Sequence, residues 1–450
     1  MKNNKILIVV GIILINIVVI YTAGQSLLGK TSKYDAAVQE ARQYAEQDLC
    51  SKSIAAYNEL VLTEDTLEIR LEMIDVYAKG LESGEFNKPY NVFSEIIAMV
   101  NLYKNEVSIY EAACDLMLKH NKLEDCAKLL MQARDLKLKS EKLDKILSEV
   151  QYAYTKTYAM YTDVLPAFNG MQTVITEQTY SFLNSDASPE LDGGYVYASS
   201  FSEGYAFVKT LNADGTEKGF VINKEGQRQF YIDKGEISAG VGKAKNEKGE
   251  DYLLLACKVG KKYKYFDING KEVLGEYVFA GRFRNNIAAV QEKSGQWKLI
   301  DGTGKAITKT VFEDVVLNEF DECAPKGLII AKKDGKYSIY DMNAKKIGNF
   351  SCDGAKAFVD EYAAFKQGDL WGFVDSKGKI IIKPQYEDAK SFSNCMGAVK
   401  LADGWRCINP KNKVVVDEIY EDIGYLNEKG ICFVKIDGYW SYIKMYYTNE

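Results

Sequence analysis

Histidine and cysteine most often act as nucleophiles, bases and metal ligands, and this 450-residue chain uses them sparingly. His120 is the only histidine, so a multi-histidine metal site is excluded and a histidine-based triad would depend on this one residue. It lies between two helical patterns, which predicts a solvent-facing position at the C-terminal end of a helix. The nine cysteines are scattered without a Cys-x-x-Cys pair, which argues against zinc and against a disulfide framework. We expect most of them to be small buried hydrophobic residues.

Carboxylates in close pairs are the remaining groups that could catalyse a reaction. Asp360 and Glu361 are adjacent, and Glu319 is followed by Asp321 and Glu322. Two neighbouring carboxylates, one of them with a raised pKa, could cleave a glycosidic bond. Both groups lie in variable connections between repeated segments, so charged surface loops are the simpler interpretation. The sequence therefore predicts no catalytic residue, and enzyme activity is the less favoured hypothesis.

No metal, cofactor or nucleic-acid partner is predicted. The stretch Asp267–Gly270 resembles part of a calcium loop, but it lacks the remaining carboxylates and is interpreted as a turn. The net charge of −6 shows no basic excess that would suggest a nucleic-acid partner. Tyr425, Tyr446 and Tyr447 lie outside the repeated positions and could stack on sugar rings, although packing at the core or at an edge is the favoured interpretation.

A repeat fills the chain from residue 195 to its end. The order Tyr-x-x-Ala-x-x-Phe is complete at three places, and degraded copies start at four others. The complete copies are Tyr195/Ala198/Phe201, Tyr277/Ala280/Phe283 and Tyr386/Ala389/Phe392, and the degraded ones start at Tyr231, Phe312, Cys352 and Tyr420. Successive starts are 34 to 46 residues apart, a period that indicates units which cannot bury a core alone and must stack. Repeat arrays of this kind mostly provide binding surfaces.

Most repeats contain a predicted β-hairpin followed by a second turn. Gly-Asp or Asp-Gly separates strand-like runs at residues 368–369, 403–404 and 437–438, and a Trp or Tyr begins the second strand. The second turn has the form Asp/Asn-x-x-Gly, in which the side chain can bond to the backbone and glycine takes a positive φ. Its copies begin at Asn223, Asp267, Asp301 and Asp375, while Asn412 and Ala344 replace the glycine in two others.

The stretch from Gly368 to Tyr386 joins Trp371-Gly-Phe-Val-Asp375 to Gly378-Lys and then to Pro384-Gln-Tyr386. In this order of residues, the array over residues 195–447 resembles the WG-containing repeat family. The resemblance is strong in the last three units and weak around residues 231–276, where Lys243–Asp251 is interpreted as an inserted polar loop. It implies a bacterial repeat protein of the kind found beside helical repeats or export signals, and it supplies no catalytic residue.

Seven repeat starts predict a β-propeller of seven blades over residues 195–450. The array opens at Tyr195 within a connecting element and stops after Trp440–Met445, just before that element would recur. Such complementary ends are typical of a ring of sheets that closes by pairing its two ends, which hides the edge strands. An open β-solenoid is the alternative, because a 34-residue unit is short for a four-stranded blade. Some blades are expected to have only three strands.

Residues 31–160 are predicted to form an α-helical repeat domain. Apolar residues recur on one helical face, and Tyr44, Tyr77 and Tyr110 are each 33 residues apart. Paired helices at this period resemble tetratricopeptide repeats over residues 34–134, with a plain helical bundle as the alternative. A last helix is predicted from apolar residues between Leu143 and Tyr154. A linker is expected over residues 161–194, where proline and glycine accumulate.

Residues 1–30 are predicted to be a transmembrane anchor with a short basic leader. The uncharged run from Ile6 to Leu28 has about the 20 residues that a helix needs to cross a bilayer. A cleaved signal peptide is the alternative. Lys2 and Lys5 precede the run, so the N-terminus is expected inside and the bulk of the chain outside the cell. The unpaired cysteines are the observation that favours the reversed topology.

These features favour a multidomain protein, α-helical and then all-β, that binds instead of catalysing a reaction. The leading hypothesis is a membrane-anchored, non-catalytic interaction or scaffold protein that presents a β-repeat face to a protein or to a cell-envelope glycan. One alternative is a propeller-type glycan-processing enzyme with paired carboxylates. The other is a cytosol-facing sensor or assembly factor, which would require the reversed topology.

Overall fold

A computed structural model of the chain describes residues 33–167, 170–231 and 236–446. The chain divides into two compact units, Met1–Gln151 and Tyr152–Glu450. The predicted membrane span at residues 6–28 lies outside the described residues. Within the described ranges, no helix is both long enough and apolar enough to cross a membrane.

Seven α-helices form the described part of the first unit. They are α1 (residues 33–46), α2 (Cys50–Val61), α3 (Leu67–Glu82), α4 (Pro89–Leu102), α5 (Val107–Lys119), α6 (Leu123–Asp135) and α7 (Glu141–Val150). Thr66 caps α3 by accepting a hydrogen bond from Ile69 N, and Ser140 caps α7 in the same way. The repeated tyrosines Tyr77 and Tyr110 are buried, so they belong to the helical core.

The second unit consists of eight antiparallel sheets, numbered as blades 1 to 8. Blade 1 contains β2 (Asp163–Val164), β3 (Gln172–Thr176), β4 (Thr179–Leu183) and β5 (Pro189–Tyr195). Blade 2 contains β6 (Tyr197–Ala198), β7 (Tyr205–Leu211), β8 (Glu217–Asn223) and β9 (Arg228–Tyr231). Blade 3 contains β10 (Glu236–Lys245), β11 (Asp251–Val259), β12 (Lys262–Asp267) and β13 (Glu272–Tyr277). Blade 4 contains β14 (Phe279–Ala280), β15 (Ala288–Gln291) and β16 (Trp297–Ile300), and blade 5 contains β17 (Asp314–Val315), β18 (Ile329–Lys333) and β19 (Lys336–Tyr340).

The remaining three blades follow the same plan. Blade 6 contains β20 (Gly354–Ala355), β21 (Tyr362–Gln367), β22 (Leu370–Asp375) and β23 (Ile380–Tyr386), and blade 7 contains β24 (Asp388–Ser393), β25 (Met396–Leu401) and β26 (Gly404–Ile408). Blade 8 contains β27 (Asp422–Ile423), β28 (Ile431–Ile436) and β29 (Tyr439–Met445), and its outermost strand is β1 (Tyr154–Tyr161) from the start of the unit. Blades 4, 5 and 7 have three strands, as expected for some blades.

Apolar clusters between neighbouring blades show that the sheets form a closed ring. Each of seven clusters joins two blades that follow one another, from blades 1 and 2 up to blades 7 and 8. The cluster that completes the ring joins Val174 of blade 1 to Phe433 and Trp440 of blade 8. Each sheet alone leaves both faces unburied, so stacking around the ring supplies the core. The predicted β-propeller is therefore confirmed.

The predicted number of seven blades is wrong, because the segment interpreted as a linker forms a blade of its own. Residues 163–195 contain the four strands of blade 1. Its copy of the repeat keeps Tyr161 but has Val164 and Ala167 in place of alanine and phenylalanine. Pro189 is the first residue of β5, the outermost strand of the blade. Proline is tolerated there because its missing N–H removes no hydrogen bond between two inner strands. The proline and glycine content of this segment therefore marks strand ends and turns.

The ring closes by pairing its two ends, with a strand that begins earlier than expected. Tyr154, predicted to lie in the last helix, instead pairs with Met445. The register shifts after Thr157, and Tyr161 then lies opposite Trp440. α7 has already ended at Val150. Pairing with β29 satisfies the backbone of β1 and removes the open edge that blade 8 would otherwise present.

The second turn of the repeat owes its shape to side-chain hydrogen bonds. Oδ1 of Asp375 accepts from the backbone N–H groups two and four residues later, at 2.9 and 2.8 Å. Asp341 makes the same two bonds, and Ala344 takes the glycine position with φ of 59°. The turn therefore depends on its first residue more than on glycine. Lys243–Asp251, interpreted as an inserted loop, extends the β10–β11 hairpin of blade 3.

Candidate functional site

One cavity is lined by the connections between the first and second strands of seven blades. Its volume is about 350 Å³. Because the strands are antiparallel, these connections all lie at one end of the ring, which we call the cavity face. Ala167 represents blade 1, Glu203 blade 2, Arg284 blade 4, Asn318 blade 5, Asp360 blade 6, Asn394 blade 7 and Glu428 blade 8. A volume of this size suits a side chain or a small ligand.

The apolar part of the cavity wall comes from the repeat itself. Phe201 and Phe358 occupy the phenylalanine position of the motif, and Leu426 occupies it in the copy that starts at Tyr420. All three are buried, so they belong to the clusters between blades as much as to the cavity. The lining residues that directly follow this position vary between blades: Ser202, Arg284, Ser393 and Asn427 are polar, whereas Val359 is apolar.

Arg282 is the most buried cation of the cavity and joins three blades. Its guanidinium donates to Ser202 of blade 2 and to Glu322 of blade 5, and it lies 4.8 Å from the ring centre of Phe320. The side chains of Arg282 and Glu322 are each only 6% exposed. The second oxygen of Glu322 accepts from Asn318 Nδ2 at 2.8 Å. Burial lowers the pKa of Arg282, and the Glu322 carboxylate opposes that shift.

Two further ion pairs connect blades nearer to solvent. Arg284 of blade 4 donates to Glu203 of blade 2 at 2.7 Å, with side-chain exposures of 36% and 22%. Lys326 of blade 5 lies 3.2 Å from Asp360 of blade 6. Asp360 also accepts from the backbone N–H of Asn394 in blade 7, at 3.2 Å. These exposed pairs add little stability each, but they fix the positions of charges around the mouth.

Neutral hydrogen bonds continue the same pattern around the ring. Asn394 and Ser393 of blade 7 both donate to the Leu426 carbonyl of blade 8, at 2.8 and 2.6 Å. Asn427 of blade 8 donates to the Ser185 carbonyl of blade 1 at 2.8 Å. The polar side chains of the cavity therefore hold neighbouring blades in place while they line the opening.

Two of the candidate catalytic carboxylates line the cavity, and their oxygens already have partners. Glu322 and Asp360 line the cavity and are paired with Arg282 and Lys326. Glu319 lies outside the lining and accepts from the Tyr425 hydroxyl of blade 8 at 2.7 Å. Tyr425, one of the candidate sugar-stacking tyrosines, is thus half-buried and bonded.

Asp321, which lies between Glu319 and Glu322 in the chain, has a raised pKa. Burial raises its pKa to about 6, and the positive charge of Arg282 opposes the shift. Its backbone carbonyl accepts from Arg282 N at 2.9 Å, and its φ is 58°. The group does not line the cavity, so the raised pKa reflects packing of the β17–β18 connection.

Replacement of Asp321 by asparagine is expected to stabilise the propeller at high pH. A carboxyl with a raised folded-state pKa contributes stability below about pH 4, and this contribution is lost as the pH rises through about 6. Asp321→Asn should therefore match the parent chain at pH 4 and exceed its unfolding free energy by about 2 kcal/mol at pH 8. Asparagine also tolerates the positive φ. Urea unfolding followed by tryptophan fluorescence measures the difference, and Glu428→Gln, at an exposed carboxylate, is the control that should show no such change. An equal effect of both variants would contradict the assignment.

The other candidate residues lie away from the cavity. His120 directly follows α5, as predicted, but is half-buried with its ring 5.9 Å from that of Phe93. Eight of the nine cysteines are buried, and Cys395 is half-buried. Asp267 uses its side chain in the turn, where it accepts from the backbone N–H groups of Asn269 and Lys271. Tyr446 contacts Thr155 through a 2.9 Å hydrogen bond, and Tyr447 lies outside the described residues.

The sequence contained a signal for the cavity that the residue-type search missed. In six copies of the repeat, the sixth residue after the start or the residue next to it lines the cavity, as for Phe201, Arg284, Asn318, Phe358, Ser393 and Leu426. A search for catalytic residue types passes over Arg282, Arg284 and Lys326 because arginine and lysine are ordinary surface residues. Within the described ranges, no group of three or more His, Cys, Asp or Glu side chains could hold a metal ion.

A family model described as WG containing repeat matches residues 265–297, 371–405 and 405–440. The predicted resemblance to the WG-containing repeat family is therefore confirmed, and these segments of the propeller carry WG-containing repeats. The sequence matches no curated protein significantly.

The chain is similar to several solved structures at low sequence identity. BamB from Moraxella catarrhalis is 10% identical, over 65% of this chain and 99% of that chain, with a TM-score of 0.41. The WD40 domain of SCAP from fission yeast is 8% identical, over 65% and 97% of the two chains, with a TM-score of 0.42. A putative 6-phosphogluconolactonase from Bacteroides uniformis is 11% identical, over 52% and 87%, with a TM-score of 0.29. At these values the likeness concerns the fold alone.

Proposed function

We propose that this chain is a non-catalytic interaction protein whose propeller binds its partner through the cavity face. The observation that carries the proposal is the convergence of seven equivalent connections on one cavity, with side chains that differ from blade to blade. A rigid repeated framework whose residues vary around one opening can offer different charged, polar and apolar groups to a partner there. The partner is a protein or a cell-envelope glycan.

The arrangement of charge supports binding over catalysis. Glu322 has both oxygens engaged, one by Arg282 and one by Asn318, and its side chain is only 6% exposed. Asp360 accepts from Lys326 and from the backbone of Asn394. A general acid or nucleophile needs a free oxygen within reach of the reacting atom. These carboxylates instead have structural partners on other blades.

A glycan-processing enzyme is the second candidate, favoured by one observation. The pKa of the Asp321 carboxyl, which lies outside the cavity lining, is raised to about 6 by burial, and a general acid needs such a raised pKa near neutral pH. Glu322 follows it directly in the chain. Hydrolysis of a chromogenic glycoside that is abolished by Asp321→Asn would favour this candidate over the first.

The rest of the chain is proposed to hold the propeller at a membrane. Residues 6–28 form the anchor, the helical unit acts as a spacer or docking module of tetratricopeptide type, and both described units lie outside the cell. What supports this placement is the length of the uncharged run and the two lysines that precede it.

Site-directed photo-crosslinking in living cells tests the proposed binding face. A photoreactive amino acid at Glu428, an exposed residue of the cavity mouth, is expected to give a discrete adduct on irradiation. The matched control is Asp369, an exposed residue in the β21–β22 hairpin, which lies at the other end of the strands. Treatment of the adduct with protease or glycosidase distinguishes a protein partner from a glycan.

The two positions give opposite results if the proposal is correct. An adduct from Glu428 that is absent at Asp369 supports binding at the cavity face. The same adduct from both positions, or an adduct from Asp369 alone, contradicts it.

A further inference from the structure

Three leucines at the ends of alternate helices in the first unit are exposed. Leu62 directly follows α2, Leu102 ends α4, and Leu136 directly follows α6. Their relative exposures are 86%, 63% and 38%. One exposed leucine is ordinary, but three in corresponding positions of alternate helices indicate a surface if the helix ends are neighbours.

Two hydrogen bonds place these helix ends next to one another. The hydroxyl of Tyr103, just after α4, donates to Oδ1 of Asp65, just beyond α2, at 3.1 Å. Nε2 of Gln132, in the last turn of α6, donates to Oδ1 of Asn101, in the last turn of α4, at 3.1 Å. The C-terminal ends of α2, α4 and α6 therefore lie at one end of the unit. We call the three exposed residues there the leucine surface.

The chain enters the helical unit at this same end. α1 and α2 are joined by residues 47–49, and Ser53 Oγ donates to the Ala41 carbonyl at 2.8 Å, which fixes them as an antiparallel pair. The start of α1 therefore lies beside the end of α2. In agreement, burial and the neighbouring Glu64 carboxylate raise the pKa of the Tyr34 hydroxyl.

The distance from the proposed anchor to this end of the unit is short. Only residues 29–32 separate the apolar run 6–28 from α1. An extended chain advances by at most about 3.6 Å per residue, so the start of α1 lies within about 18 Å of the bilayer surface. The leucine surface is on the part of the unit that this tether holds nearest to the lipid.

We propose that the leucine surface contacts the membrane, with Leu62 and Leu102 inserted among the lipid headgroups. This inference rests on the membrane anchor of the proposed function. Lys104 follows α4 closely, but the exposed Glu64 also lies at this end, so both signs of charge are present. Burial of leucine side chains at the interface, and not attraction to anionic lipid, therefore drives the contact.

Fluorescence quenching by lipid tests this contact in the full chain, reconstituted into phosphatidylcholine vesicles. A cysteine at Leu62 or at Leu102 carries an environment-sensitive fluorophore, and some of the lipids carry bromine on the upper acyl chain. The matched control is Glu82→Cys, at the exposed end of α3 on the opposite side of the unit. The chain without an introduced cysteine gives the background, which should be low because eight native cysteines are buried.

The label at Leu62 and at Leu102 is expected to lose most of its fluorescence in brominated vesicles, while the label at Glu82 keeps it. Flotation of the same vesicles separates two ways of failing. If the chain floats with the lipid but no label is quenched, the leucine surface does not contact the membrane and the anchor stands. If the chain does not float, the anchor and the contact both fail, whereas binding at the cavity face is decided separately by crosslinking.

Discussion

Replacement of Arg282 by methionine is expected to lower the unfolding free energy of the propeller by about 3–5 kcal/mol. The change removes the guanidinium but leaves the Glu322 carboxylate buried, with Asn318 as its remaining side-chain partner. An uncompensated charge in a dry site costs far more than an exposed ion pair contributes. Urea unfolding can be followed by tryptophan fluorescence, which reports this unit alone because its four tryptophans all lie in blades 4, 6, 7 and 8.

Arg284 provides a matched control in the same connection. Its pair with Glu203 is 36% and 22% exposed, so Arg284→Met should cost no more than about 1 kcal/mol. The double variant Arg282→Met, Glu322→Met removes both buried charges and should recover much of the loss. Equal costs for Arg282→Met and Arg284→Met would contradict the assignment of Arg282 as the residue that joins blades 2, 4 and 5.

Replacement of Gly372 by alanine is expected to lower the unfolding free energy by about 1–3 kcal/mol. This is the glycine of the Trp-Gly pair in blade 6. A Cβ here would lie 2.4 Å from the Ile382 carbonyl oxygen and 2.7 Å from Pro384 N, both backbone atoms. The close approach arises because β23 bulges opposite this residue, where Trp371 pairs with Tyr386 and Phe373 pairs with Ile382. The outer strand would have to move to accommodate a methyl group.

Gly275 is the control for the conformational effect of glycine in an outer strand. It lies in β13, and a Cβ there would meet no atom within 4 Å. Gly275→Ala should change the unfolding free energy by no more than about 0.5 kcal/mol. If both alanine variants behaved alike in urea unfolding, close packing would not explain the glycine of the motif.

The repeat made most of the propeller predictable, and its two missed parts have physical explanations. Hairpins such as the one at residues 403–404 follow from turn chemistry, which is local. Blade 1 lacks two of the three motif residues, so its four strands and its packing against blades 2 and 8 identify it as a blade. The strand β1 contains no turn signal and gains its partner from the far end of the unit. Pairing between residues almost 300 positions apart leaves no trace in local spacing.

The cavity was predictable in position but not in chemistry. The repeat predicts that residues after each motif phenylalanine occupy equivalent places, and equivalent places in a ring meet at its axis. It does not predict that Arg282 reaches past blade 3 to Ser202 in blade 2. Such contacts depend on side-chain conformations at the centre of the ring. Of the carboxylates that suggested catalysis, Glu322, Asp360 and Glu319 therefore lie at the cavity end of the propeller, where side chains of other blades bind them.

The most direct test of the proposed function is labelling of two introduced cysteines with a membrane-impermeant thiol reagent on intact cells. One is Glu428→Cys at the cavity mouth, and the other is Asp369→Cys at the opposite end of the ring, with the parent chain as background. If the propeller lies outside the cell with its cavity face covered by a partner, Asp369→Cys is labelled before lysis. Glu428→Cys is then labelled only in the purified chain. Failure of both to react before lysis would contradict the external location, and equal labelling of both on intact cells would contradict binding at the cavity face.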